Sequence, residues 1–138
     1  MRLYRVLFVC IGNSCRSQMA EAFAARYGAD VMVARSAGLA PCEMVAPVTR
    51  EVMLEKGIDL DGATPKGLEF TGTDFDLIVN MSGRRLPGAV KAEVREWDVE
   101  DPIWVSRERH REIRDQIEGL VRELIGELRR RRGVRARI

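Results

Sequence analysis

The chain has 138 residues, of which 46% are apolar and 32% charged, and its formal net charge is +2. That length suits one domain with its own core, and the mixed charges belong to a folded surface rather than a disordered chain. So small a net charge excludes affinity for nucleic acid spread over the whole fold, and apolar runs such as Val6 to Cys10 are far too short to cross a bilayer. No basic-then-apolar leader opens the chain, so the expectation is a cytoplasmic protein with no membrane partner.

Taken in order, Tyr4 to Val9 reads as a buried strand. From Ser17 to Tyr27, apolar residues at Met19, Ala20, Phe23, Ala24 and Tyr27 recur with helical spacing, and Gly28 is expected to stop the helix. Val31 to Ala34 reads as a second strand. Pro47 opens a helix from about Ala46 to Lys56, which Gly57 closes. Phe75 to Met81 is a third strand and Glu93 to Trp97 a shorter fourth. A final helix from about Ser106 to Arg130 buries Ile113, Ile117, Leu120, Val121, Leu124 and Leu128. Alternating strands and helices predict a single α/β domain over residues 1–138, a mostly parallel sheet covered on both faces. The arginines at 129, 130, 131, 132, 135 and 137 predict a frayed, solvated basic tail over about 129–138, with weak affinity for anionic partners as its lesser reading.

The three cysteines, Cys10, Cys15 and Cys42, are odd in number, and with the single His110 they form neither a disulfide framework nor a zinc site. Reactivity is the remaining use for them, and no metal or cofactor is called for. In parallel α/β folds, ligands sit beyond the carboxyl ends of the strands, which directs attention to V-C-I-G-N-S-C-R-S, Val9 to Ser17. Unpaired N–H groups and a positive dipole end open the following helix. Gly12 and Asn13 both tolerate left-handed backbone angles that turn further N–H groups inward. The loop is thus read as a cradle for a tetrahedral oxyanion, formed by Ile11, Gly12, Asn13, Ser14, Cys15, Arg16 and Ser17. Arg16 would set a planar fork against two of the anion's oxygens, and the same positive field would favour the thiolate of Cys10, the nucleophile. A Cys followed six places later by Arg arises by chance roughly 0.4 times in a chain of this composition, so the strand before and the helix after carry the argument.

The stretch from Val9 through Q-M-A-E-A-F-A resembles the phosphate-binding loop of the low-molecular-weight protein tyrosine phosphatase family, which includes the thioredoxin-coupled arsenate reductases. Ser36-Ala37-Gly38, Lys56-Gly57-Ile58, D-F-D-L-I-V-N-M and Asp101-Pro102 extend the likeness over nearly the whole chain. The resemblance implies a four-stranded parallel sheet flanked by helices. It makes Cys10 the nucleophile, Arg16 the oxyanion clamp and Asp101 the general acid. Asn13 and Ser36 would brace the loop, and Ser17 would donate to the Cys10 sulfur. The residues themselves leave Asp98, Glu100 and Asp101 open as acids; the adjoining Pro102, in the family's Asp-Pro position, favours Asp101.

The main expectation is hydrolysis of phosphotyrosine or small aryl phosphates through a cysteinyl-phosphate. The alternative is reduction of arsenate with an external small thiol, or with an unusual use of Cys15 or Cys42, because the family's relay cysteines just after the third strand are missing and Ser82 stands where the first would fall. A catalytically dead phosphate-binding module is a third reading. Cys15 is expected to form a reversible disulfide with Cys10, against the alternative that it merely packs. Cys42 is read as an unremarkable loop thiol, Trp104 as either a stacking wall or core, and His110 as exposed and silent.

Overall fold

The computed structural model describes residues 2–72 and 74–136, and of residues 134–136 the backbone only. Arg137 and Ile138, the end of the expected tail, lie outside the described residues. Four strands, β1 (Tyr4–Cys10), β2 (Met32–Gly38), β3 (Leu77–Asn80) and β4 (Glu93–Glu96), form one parallel sheet in the order β2-β1-β3-β4. β1 lies at the centre and is buried continuously from Val6 to Cys10, the pattern of a strand covered on both faces. Strand order reverses at β1, so the crevice at its carboxyl end is the switch point where such folds place ligands.

Helical cover is unequal on the two faces. On one, α1 (Arg16–Gly28) and α3 (Arg107–Ala136) pack Met19, Phe23, Ile113, Ile117 and Val121 against Val6 and Phe8, and α2 (Pro47–Leu54) adds Met53. On the other, Leu7, Val9 and Ala37 are covered by Leu39, Leu68, Phe75 and Leu86, with the single turn Leu68–Phe70 as the helical element. The connection from β3 to β4 carries no helix, which leaves an apolar cleft of about 400 Å³ on that face.

Gly28 is the last residue of α1 and not a left-handed stop. A Cβ there would lie 2.7 Å from the Ile125 side chain, so the missing methyl lets α3 approach. Gly57, at φ +74°, does close α2, its N–H donating to Leu54 at 2.9 Å. Over its described part the basic tail is helical, since α3 continues to Ala136, and Arg129, Arg131 and Arg132 find partners there. Arg129 donates to Asp30 (2.7 Å) and to the Tyr27 carbonyl (2.8 Å), and Arg132 donates to the Asp30 carbonyl (2.5 Å). No helix among the described residues is long and apolar enough to cross a membrane.

Candidate active site

β1 delivers Cys10 to the switch point, with Gly38 of β2 directly opposite in the parallel register. Residues 11–15 then turn the chain into α1, whose first residue is Arg16. No side chain caps this helix, so its leading N–H groups remain for a ligand. Gly38 has to be glycine: a Cβ would lie 2.7 Å from the Ile11 carbonyl and 2.8 Å from the Asn13 nitrogen, both rigid backbone.

Of the two residues expected to be left-handed, only Asn13 is, at φ 51°. Its side chain is fully used. The amide donates to Ser17 Oγ (2.7 Å) and Ser36 Oγ (3.0 Å), and Oδ1 accepts from the Lys66 N–H (2.9 Å) and Gln18 Nε2 (3.1 Å). Gly12 instead permits close approach, since a Cβ on it would sit 2.5 Å from Cys42 Sγ and push that side chain aside.

Ser17 Oγ lies 2.9 Å from Cys10 Sγ. Because Asn13 already donates to that oxygen, the serine proton is free to point at the sulfur, the arrangement a thiolate accepts. Ser36 in turn donates to Glu21, whose carboxylate is 3.8 Å from Lys66 Nζ. Asn13, Ser17 and Ser36 are buried completely, so their side chains brace the loop from behind. Gln18, Lys66 and Glu21 complete this scaffold; Gln18 and Glu21 lie in the Q-M-A-E run that carries the resemblance, whereas no local motif marks Lys66.

Arg16 is 5% exposed. Its Nη1 donates to the carbonyls of Met81 (2.5 Å) and Val99 (3.0 Å), which fixes the plane of the guanidinium, and Nη2 is 3.5 Å from Asp101 Oδ2. Asp101 is held from its other side by the turn that Pro102 opens, the Ile103 N–H donating to Oδ1 at 3.2 Å. Of the three candidate acids, Asp101 alone lines the cavity with Cys10. Glu100 is committed to Arg109 at 2.7 Å, and Asp98 faces a separate depression with Trp97 and Val99.

The cavity measures about 80 Å³ and is walled by Cys10, Ile11, Gly12, Ser14, Cys15, Arg16, Ala40, Cys42, Asp101 and Ile103. Positive potential from the helix end and Arg16 therefore meets a nucleophile and a carboxylate in one small space, the parts needed to hold a tetrahedral oxyanion and attack it. Among the described residues no cluster of His, Cys, Asp and Glu is built to hold a metal ion. Trp104, 92% exposed, is not core; it lies three residues past Asp101 and outside the residues that wall the cavity.

All three cysteines share this wall. Cys15 is buried, its sulfur 3.6 Å from Ser14 Oγ, and burial pushes its thiol above the ordinary range although hydrogen bonds from Thr49 and Ser14 oppose the shift. Cys42 is an exposed loop residue that lines the cavity beside Gly12. Ser82, where the resemblance puts a relay cysteine, is buried in the turn after β3 with its hydroxyl on Asn80 Oδ1 (2.6 Å). His110 is not exposed: it is 1% accessible, with Nε2 at 2.9 Å from Thr49 Oγ1, and burial, reinforced by Arg114, lowers its pKa.

The model of the low molecular weight phosphotyrosine protein phosphatase family matches residues 5–134. The chain is 39% identical over 129 residues to a glutaredoxin arsenate reductase of Synechocystis sp., covering 90% of this chain and 98% of that one. It is 32% identical to a protein-arginine-phosphatase of Bacillus subtilis, with 92% and 98% covered. Among solved structures, an arsenate reductase in the phosphate binding state superposes with a TM-score of 0.84 at 35% identity, over 91% of this chain and 99% of that one. With a family model matched over nearly its whole length and Cys10, Arg16 and Asp101 gathered at the switch point, this chain belongs to the low molecular weight phosphotyrosine protein phosphatase family.

Proposed function

We propose that the chain reduces arsenate, taking the oxyanion onto Cys10 and drawing electrons from thiols. The observation that carries this reading is the gathering of Cys10, Cys15 and Cys42 on one small cavity, since hydrolysis needs a single thiol and reduction consumes two. The likeness to arsenate reductases over 90% of the chain supports it. In this reading the loop N–H groups and Arg16 bind three oxygens of arsenate, and the Cys10 sulfur attacks arsenic. The leaving oxygen departs as water, with Asp101 placed to supply the proton.

A second reading, hydrolysis of phosphotyrosine or small aryl phosphates, is favoured by Asp101 on the cavity wall, with the exposed Trp104 three residues further along the chain. Cys10 would take the phosphoryl group, Asp101 would protonate the leaving oxygen, and the same carboxylate would then activate water. The two readings share the cradle and differ in what releases the adduct. Steady-state arsenite formation with a glutathione-glutaredoxin or thioredoxin system, run beside para-nitrophenyl phosphate hydrolysis, separates them. Arsenite formation well above the uncatalysed rate supports the first; hydrolysis with no arsenite from any thiol system overturns it in favour of the second.

A further inference from the structure

The segment after β2 is tied to the phosphate loop along its length. Leu39 N–H donates to the Cys10 carbonyl (3.1 Å), Ala40 to Ile11 (2.8 Å), Cys42 to Gly12 (2.9 Å) and Ala46 to Ser14 (3.1 Å). Cys42 is therefore a built part of the cavity mouth. Its sulfur fills the space that any side chain at Gly12 would need, and it shares the wall with the Cys10 nucleophile.

We propose that Cys42 is the resolving thiol of this cavity, a role that rests on the arsenate reading above. The Cys10 thiolate first displaces one oxygen of arsenate as water, forming a sulfur–arsenic(V) bond. The Cys42 thiolate then forms a bond to the Cys10 sulfur. The sulfur–arsenic bond breaks with its electron pair remaining on arsenic, which leaves as arsenite, arsenic(III). The two thiols have supplied two electrons and end as a Cys10–Cys42 disulfide. An external dithiol reduces that disulfide and is itself oxidised.

Position distinguishes Cys42 from Cys15. Cys15 is 4% exposed, sits in the main core cluster and is held by Ser14, so a disulfide made to it would be closed to an external dithiol. Its buried thiol also resists ionisation. Cys42 is exposed at the rim, open to an incoming reductant. Closing the bond brings the sulfurs to about 2 Å. Leu39–Val45 must then shift toward Cys10, and that segment is an irregular connection holding Pro41, with no helix or strand to unmake.

The test is a single turnover without reductant. Fully reduced protein is mixed with excess arsenate; arsenite, free thiols and disulfide-linked peptides are then counted. Wild type should release about one arsenite per chain with loss of two thiols and a Cys10–Cys42 peptide pair. Cys42→Ser should release about a tenth or less. A burst that survives in Cys42→Ser, or a Cys10–Cys15 pair mapped in wild type, overturns the proposal; the wild-type map does so whether or not the variant folds. Arsenite formed only when a small monothiol is added leaves the arsenate reading standing and removes the role of Cys42. No arsenite under either condition overturns both, and para-nitrophenyl phosphate hydrolysis then reports what the cradle does.

Discussion

Each residue of the cradle has a distinct physical task, so single substitutions should fail in different ways. Cys10→Ser replaces the attacking sulfur but leaves the N–H groups and Arg16 in place. Turnover should fall to background while phosphate or arsenate still binds, as isothermal titration would show. Arg16→Lys keeps the charge and loses the planar fork that Met81 and Val99 hold in position. The rate should drop by about a hundredfold or more, with the buried carbonyls left short of donors. Asp101→Asn tests the acid through the leaving group. Hydrolysis of an alkyl phosphate should fall by about two to four powers of ten, and that of para-nitrophenyl phosphate much less, because nitrophenolate departs without a proton. Equal losses on both would mean that the Arg16–Asp101 pair at 3.5 Å only holds the cavity's shape.

At the scale of elements, the contact between α2 and α3 holds the loop from behind. Thr49 of α2 meets His110 of α3, and Arg114 of α3 reaches the Val52 carbonyl (2.8 Å) and Glu55 (2.7 Å). His110 is buried, and its folded pKa lies below the ordinary 6.5. The unfolded chain therefore takes up a proton below about pH 6.5 that the folded chain refuses, so acid favours unfolding until the folded imidazole also protonates. The thermal midpoint should fall as pH is lowered from about 7.5 to about 5, and His110→Gln should flatten that part of the curve. Glu55 acts in the same direction at lower pH. Arg111 and then Arg114 pull its carboxyl down to about 2, so its contribution is complete above the ordinary 4.5 and fades as pH falls toward 2. The His110 limb sets in below about pH 6.5 and the Glu55 limb below about 4.5, so their onsets can be told apart in one titration of the midpoint.

Across the whole molecule, one core joins the sheet to α1 and α3, and Ile117 lies at its centre with no exposure. Ile117→Ala should cost about 2–5 kcal/mol in urea unfolding, and a value well under that range would mean that the α1–α3 contact collapses to fill the space. Much of this architecture was legible in the chain itself. Periodicity is a local property, so β1, α1, the Pro47 start of α2 and the buried stripe of α3 could be read directly, and the tight run from Cys10 to Arg16 shows in sequence because all its parts come from one turn. The tertiary structure decided whatever depends on which distant segments meet. Asp101 was separated from Glu100 and Asp98 by its place beside Arg16, which lies near the other end of the chain, and Cys42 became a wall of the cavity through Gly12. His110 changed from an exposed to a buried residue because α2 covers it, and the chain beyond Leu128 stayed helical because Asp30 stands opposite Arg129 and Arg132. Local pattern determines elements and turns, whereas burial and partnership belong to surfaces that exist only once the elements have packed.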